Sequence, residues 1–242
     1  MSEFVPVVRL AVTLLAIGSA AGMTAYLWQW RSFSAAQPLL GLAGSMLAAA
    51  VVHLVVVYLS GPDAAVQVTE ATVDEGVQFS LLLDFIVLIG GAWILFVLQY
   101  TGRARWLLRA FVAILGTLLL VNVATTVAFL FRGENTQPLT ATTNVVSISV
   151  VALIAVGVVL MVTVSVRQNP FPFREPLVLS GGAVVLAVGA VVLGVLGQPV
   201  VFPAMVVIAV GLFVKGVSGA PTFEMLPAAH VAGRDRIIEQ MN

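Results

Sequence analysis

The chain has 242 residues, of which 60% are hydrophobic and only 9% charged, with a mean hydropathy of +1.10. Soluble domains carry about 25% charged residues, so an ordinary water-soluble globule is excluded and the lipid bilayer is the first partner expected. Eleven bases balance eleven acids, which gives no grip on a polyanion, so no nucleic acid is expected.

Cysteine is absent and there are two histidines, His53 and His230. Disulfides, thiolate metal sites and cysteine nucleophiles are therefore ruled out, and no metal site is expected. The N-terminus carries Glu3 where a secretory signal would be basic, and its first apolar run is long enough to span a membrane.

A spanning helix needs roughly 20 mostly apolar residues. Seven stretches qualify: 10–28, 38–59, 80–100, 106–129, 144–166, 176–196 and 200–217. The last two are separated only by Gly197-Gln198-Pro199, a tight turn whose proline suits the start of a helix. The valine-rich fifth and sixth stretches would favour strands in water. In lipid the backbone must satisfy its own hydrogen bonds, so helix prevails. The expected fold is an all-α membrane protein, a seven-transmembrane helix bundle.

Basic residues set the orientation. Arg31, Arg103, Arg105, Arg109, Arg167, Arg174, Lys215, Arg234 and Arg236 fall on one side. Asp63, Glu70, Asp74, Glu75 and Glu134 fall on the other, with Arg9 and Arg132. The N-terminus is therefore expected outside and the C-terminus in the cytoplasm of a cell-membrane protein. The longest loop, 60–77, is acidic and outside.

Small residues mark packing faces. The first span carries Gly18 and Gly22 in a GxxxG spacing, and the sixth carries Ala183, Ala187, Ala190, Gly194 and Gly197 on one face. Both are expected to serve close packing inside the bundle.

Polar residues in the spans are the candidates for chemistry. Asp84 lies near the outer end of the third span, where an ionisable group marks a functional site by default. Arg9 lies at similar depth in the first span and is a candidate partner. Gln78, Asn122, Thr125, Thr126, Asn144, Ser147 and Ser149 could complete an outward-facing ligand pocket. His53 reads as a core histidine in the inner half of the second span. No phosphate loop, HExxH motif, nucleophile elbow or pair of catalytic carboxylates occurs in the spans, so no enzyme chemistry is expected.

Lys215, in the seventh span, raises the idea of a retinal Schiff base. Against it, the sixth span has no aromatic residue, Gly211 stands one turn earlier where a counterion would sit, and a lysine near the inner end snorkels. No cofactor is expected.

The third span ends Trp93-Ile94-Leu95-Phe96-Val97-Leu98-Gln99-Tyr100-Thr101-Gly102-Arg103. It resembles the W-x-x-F-x-L-x-Y-T-G-R end of the third helix in the N-terminal seven-transmembrane sensor region of haloarchaeal-type histidine kinases. The tail, Phe223-Glu224-Met225-Leu226-Pro227-Ala228-Ala229 and then Gly233 to Met241, is similar to that family's exit segment. The pair Gly90-Gly91 departs from the family, which usually shows prolines there. The resemblance implies a sensor domain over 1–221 and an exit helix over 222–242, leading to a cytoplasmic kinase or PAS module. The relay residues would be Lys215, the elbow prolines Pro221 and Pro227, and the apolar edge formed by Ile237 and Ile238, which could also pair two chains as a homodimer. A small transporter or channel is the rival reading, with Gly90-Gly91 as an unwound point.

Overall fold

The computed structural model describes residues 4–32, 36–59, 72–101, 105–132, 137–167, 174–196 and 201–218. Every regular element among these residues is an α-helix: α1 (Phe4–Trp28), α2 (Ala36–Leu59), α3 (Thr72–Tyr100), α4 (Arg105–Arg132), α5 (Gln137–Arg167), α6 (Arg174–Leu196) and α7 (Val201–Ser218). Among the described residues, six helices are long and apolar enough to cross a membrane, and α6 adds a shorter apolar stretch, Pro176–Gly189.

All seven expected spans are helices, but several run past the apolar core. The third begins at Thr72 rather than near Ser80, so Asp74 and Glu75 belong to its first turn and not to the preceding loop. The fifth begins at Gln137 rather than Asn144. An apolar window marks where the bilayer lies, and a helix continues beyond it until its hydrogen bonds are capped.

Helix directions follow from individual contacts. A Cβ placed on Gly90 would meet Val150 and Ile154, and one on Gly157 would meet Trp93, so α3 and α5 run in the same direction. Gly91 faces Leu115, and Asp84 meets Asn122, so α4 runs against α3. Gly182 faces Phe213 and Gly216 faces Leu179, so α7 runs against α6. His53, six residues before the end of α2, lies 6.1 Å from Phe202 at the start of α7. The starts of α3, α5 and α7 thus share one end of the bundle with the end of α2, called here the N-terminal end. His53 belongs to that end; with the N-terminus outside, as expected from the basic residues, this is the outer half of α2 and not the inner half. The second helix runs back toward the end from which the first one starts.

Helix α3 is the axis. It packs against α2, α4 and α5, while α1 packs on α2 and α7, and α6 on α5 and α7. Of its membrane window 67% is buried, against 11% for α4, which leans on α3 and α5 from outside. The bundle is apolar inside and out. Trp93, Phe96 and Phe213 fill the centre, and branched side chains such as Leu120, Ile148 and Val159 stand exposed. Exposed apolar surface on this scale needs a lipid solvent.

Two groups of described glycines stand out. Those at 90, 91, 157, 182, 189 and 216 each sit where a Cβ would press on a neighbouring side chain. Gly18 and Gly22 face open space. Their GxxxG spacing therefore does not serve packing inside the bundle, contrary to expectation, because α1 turns Ala16, Ala20, Met23 and Leu27 inward instead. In the sixth span Ala183 is buried as expected, but Gly182 and Gly189 make the closest approaches to α7. Ala190, Gly194 and Gly197 lie outside the described side chains.

Candidate functional site

The motif at the end of α3 has a packing role that is visible residue by residue. Trp93 lies 5.9 Å from Phe96 and 6.0 Å from Phe213 of α7, and Phe96 lies 5.7 Å from Tyr100. These rings form a tilted aromatic ladder, a geometry that suits their quadrupoles. Thr101 then closes the helix: its backbone N–H and its hydroxyl both donate to the Val97 carbonyl, at 2.9 and 2.7 Å. At the same end of the bundle the Arg31 guanidinium sits 4.8 Å from the Trp28 ring, a cation–π contact just after α1.

Among the described residues many polar side chains are satisfied by their own helix. Thr13, Thr117, Thr125, Ser149 and Thr163 each donate to the carbonyl four residues earlier. Such back-bonding removes the need for any other partner. Thr125 and Ser149, two of the expected pocket residues, are thereby accounted for.

Asp84 is different. It lies twelve residues into α3, and the Asn122 amide of α4 donates to its Oδ1 at 2.8 Å. Asn122 is fully buried. A carboxylate and an amide thus join the central helix to the peripheral one at the depth of the apolar core. One turn further along α4, Thr126 is buried, and its hydroxyl donates to the Asn122 carbonyl at 2.9 Å.

The neighbouring face of α5 completes the layer. Val150 lies against Gly90, and an α-helix rises 1.5 Å per residue. Asp84 is therefore about 9 Å above that contact, with Ser147 about 4.5 Å and Thr143 about 10.5 Å above it. Thr143 is buried, and the Ser147 Oγ is buried with no hydrogen-bond partner. Thr143 was missed in the sequence because Asn144 beside it is the more polar residue. Only the helix's rotation shows which of the two faces inward.

Several expected members fall elsewhere. Asn144 is exposed on α5 and leaves the pocket. Arg9 sits on α1, whose neighbours are α2 and α7, so it does not meet Asp84. Its Nε is buried without a hydrogen-bond partner. Gln78 lies in α3, six residues before Asp84, and its side chain is outside the described ones. Lys215 is exposed in the last turn of α7, away from any interior slot a Schiff-base ligand would fill. Helix α3 is continuous through Gly90 and Gly91, so no unwound point exists there; the two glycines admit Val150 and Leu115. Pro221, Pro227, Ile237 and Ile238 lie outside the described residues. Among the described residues no cluster of metal ligands occurs.

Among the described residues these features define an all-helical protein, six of whose helices are long and apolar enough to cross a membrane, with a half-buried carboxylate hydrogen-bonded to a buried amide. Compared with known proteins, the chain matches no family model, no curated protein and no solved structure.

Proposed function

We propose that the chain is the membrane-embedded input domain of a signalling protein of the two-component type. Its N-terminal end faces outside, and its tail leads to a cytoplasmic kinase or PAS module. The observation that carries this reading is the Asn122–Asp84 hydrogen bond, which ties a peripheral helix to the central one inside the bundle. A ligand or proton that changes this bond shifts α4 against α3, a two-state element of the kind sensors use. The aromatic ladder from α3 to Phe213 gives that shift a packed route to α7. Residues Lys215, Pro221, Pro227, Ile237 and Ile238 are proposed to pass it on, with Ile237 and Ile238 pairing two tails. The resemblance of the α3 end and of the tail to histidine-kinase sensor regions supports the same reading.

The test is a chimera that joins the whole chain, through Asn242, to a histidine-kinase output module of known activity. Asp84→Asn is expected to reset autophosphorylation in membranes, while Glu70→Gln leaves it unchanged. Equal output from wild type and Asp84→Asn, with both proteins folded, would refute the sensory reading.

A further inference from the structure

We propose that Asp84, with Asn122 of α4 and Ser147 of α5, forms a site for one monovalent cation, a proton or a sodium ion, at the α3–α4–α5 seam. The inference rests on the sensory reading only for its consequence. The binding itself belongs to the chain alone.

Charge balance makes the first part of the case. Asp84 lies inside an apolar span, and its hydrogen-bond partner is a neutral amide. The Asn122 N–H orients the carboxylate but brings no positive charge. Burying an ionised carboxylate without a counter-charge is costly, so such groups are paired, protonated or bound to an ion.

The protein supplies no counter-charge at that depth among the described side chains. Arg109, the described base of α4, is exposed and thirteen residues from Asn122, about 20 Å along the helix. Arg9 is on α1, which packs mainly on α2 and α7. On α2 the described titratable side chain is His53, set beside Phe202 of α7, and that of Tyr58 lies outside the described ones. On α3 itself Tyr100 is at the far end, next to Phe96. The side chains of Asp74, Glu75, Arg105, Arg132, Arg167, Arg174 and Glu175 lie outside the described ones.

The donor set makes the second part. The Ser147 Oγ is buried, without a partner, and its depth on α5 falls between those of Asp84 and of Gly90. A hydroxyl that neither back-bonds to its own helix nor meets another side chain keeps its lone pairs for a ligand, unlike Thr125 and Ser149. The Asn122 side chain that donates to Asp84 also carries an amide oxygen beside that carboxylate. Carboxylate, amide and hydroxyl are oxygen donors, which suit hard cations. A single carboxylate balances a single positive charge, whereas calcium sites draw on several carboxylates and more oxygens.

The experiment uses the full chain in nanodiscs of zwitterionic phosphatidylcholine and reads the thermal unfolding midpoint. In the sodium arm, sodium chloride replaces choline chloride at constant ionic strength and mildly alkaline pH. In the proton arm, pH is lowered in choline chloride alone. A sodium site raises the midpoint with sodium in wild type and not in Asp84→Asn. Ser147→Ala then weakens the apparent sodium affinity by about tenfold, roughly the 1.4 kcal/mol of one lost contact to a charged group.

A proton site shows no sodium effect, but a midpoint that rises on acidification in wild type and in His53→Gln, and not in Asp84→Asn. The inference is overturned if Asp84→Asn keeps the wild-type response in both arms, or if His53→Gln alone removes the proton response. Infrared difference spectra of wild type keep the test independent of any variant's folding. A buried carboxyl band must change with sodium or acid, and an unchanged band in both arms overturns the inference. Cation binding with no change in the chimera's kinase output would sink the sensory reading and leave the site standing. A changed output with no cation response would do the reverse.

Discussion

Gly157→Ala is the substitution for which the bundle makes the sharpest demand. A methyl group there would stand 2.6 Å from the Trp93 Nε1, 3.0 Å from its Cδ1 and 3.3 Å from the Ile94 Cδ1. Non-bonded heavy atoms settle at about 3.5–4.0 Å, so the closest contact is short by roughly an ångström. The indole has little room to retreat. Trp93 is 1% exposed and is flanked by Phe96 and Phe213 at ring distances of 5.9 and 6.0 Å.

Overpacking of this kind costs about 1–3 kcal/mol, and alanine returns up to about 1 kcal/mol through its better helix propensity. With the full return the expected net loss is about 0–2 kcal/mol, and relative to a glycine-to-alanine change that meets no neighbour it is about 1–3 kcal/mol, read as a lower stability in reversible unfolding from mixed micelles. Gly22→Ala is the control: nothing lies within 4 Å of its new Cβ, so only the propensity gain applies, and stability should hold or rise by up to about 1 kcal/mol. Trp93→Phe removes the clashing nitrogen, so the double variant Gly157→Ala with Trp93→Phe should recover part of the loss, with a coupling of about 0.5–3 kcal/mol. A Gly157→Ala protein as stable as Gly22→Ala would refute the packing of α3 on α5.

Three further outcomes follow from the same structure. Asn122→Leu removes the donor to Asp84 and should destabilise the bundle by about 1–3 kcal/mol, whereas Asn144→Leu, on an exposed face, should leave unfolding unchanged; the reverse order would mean that α5 is rotated from its described position. Residues 74 and 105 lie at opposite ends of the bundle, at the starts of α3 and α4, so Asp74→Cys in intact cells should react with an impermeant thiol reagent and Arg105→Cys should not; labelling of both, or the reverse, would overturn the orientation. For the proposed pairing of tails, Ile238→Cys should cross-link between chains in native membranes well above Glu239→Cys, and uniform or absent cross-linking would rule out a specific paired helix.

Composition and apolar run length were sufficient to place seven helices. Hydrocarbon offers the backbone no partner, so each run of about 20 apolar residues has helix as its one economical form. The same physics makes Asp84 legible, because a carboxylate inside such a run stands out against its neighbours.

Rotation about each helix axis was not legible. In water an amphipathic stripe shows which side faces the core. Here the lipid-facing and core-facing sides are both apolar, so Gly18, Gly22 and Asn144 carry no local sign that they point outward, nor Thr143 that it points in. The partner of Asp84 was equally out of reach. Arg9 and Asn122 were both candidates by depth, and the choice between them depended on α3 lying between α2 and α4 while α1 packs on α2 and α7. That arrangement is decided by which small residues let helices approach, at Gly90, Gly91 and Gly157 around the central helix and at Gly182 and Gly216 between α6 and α7. Sequence alone therefore determined that this chain forms helices long and apolar enough to cross a membrane, and where the carboxyl group among them lies. The tertiary structure alone decided which side chains meet, because close packing between apolar surfaces depends on shape, and shape is a property of two helices together.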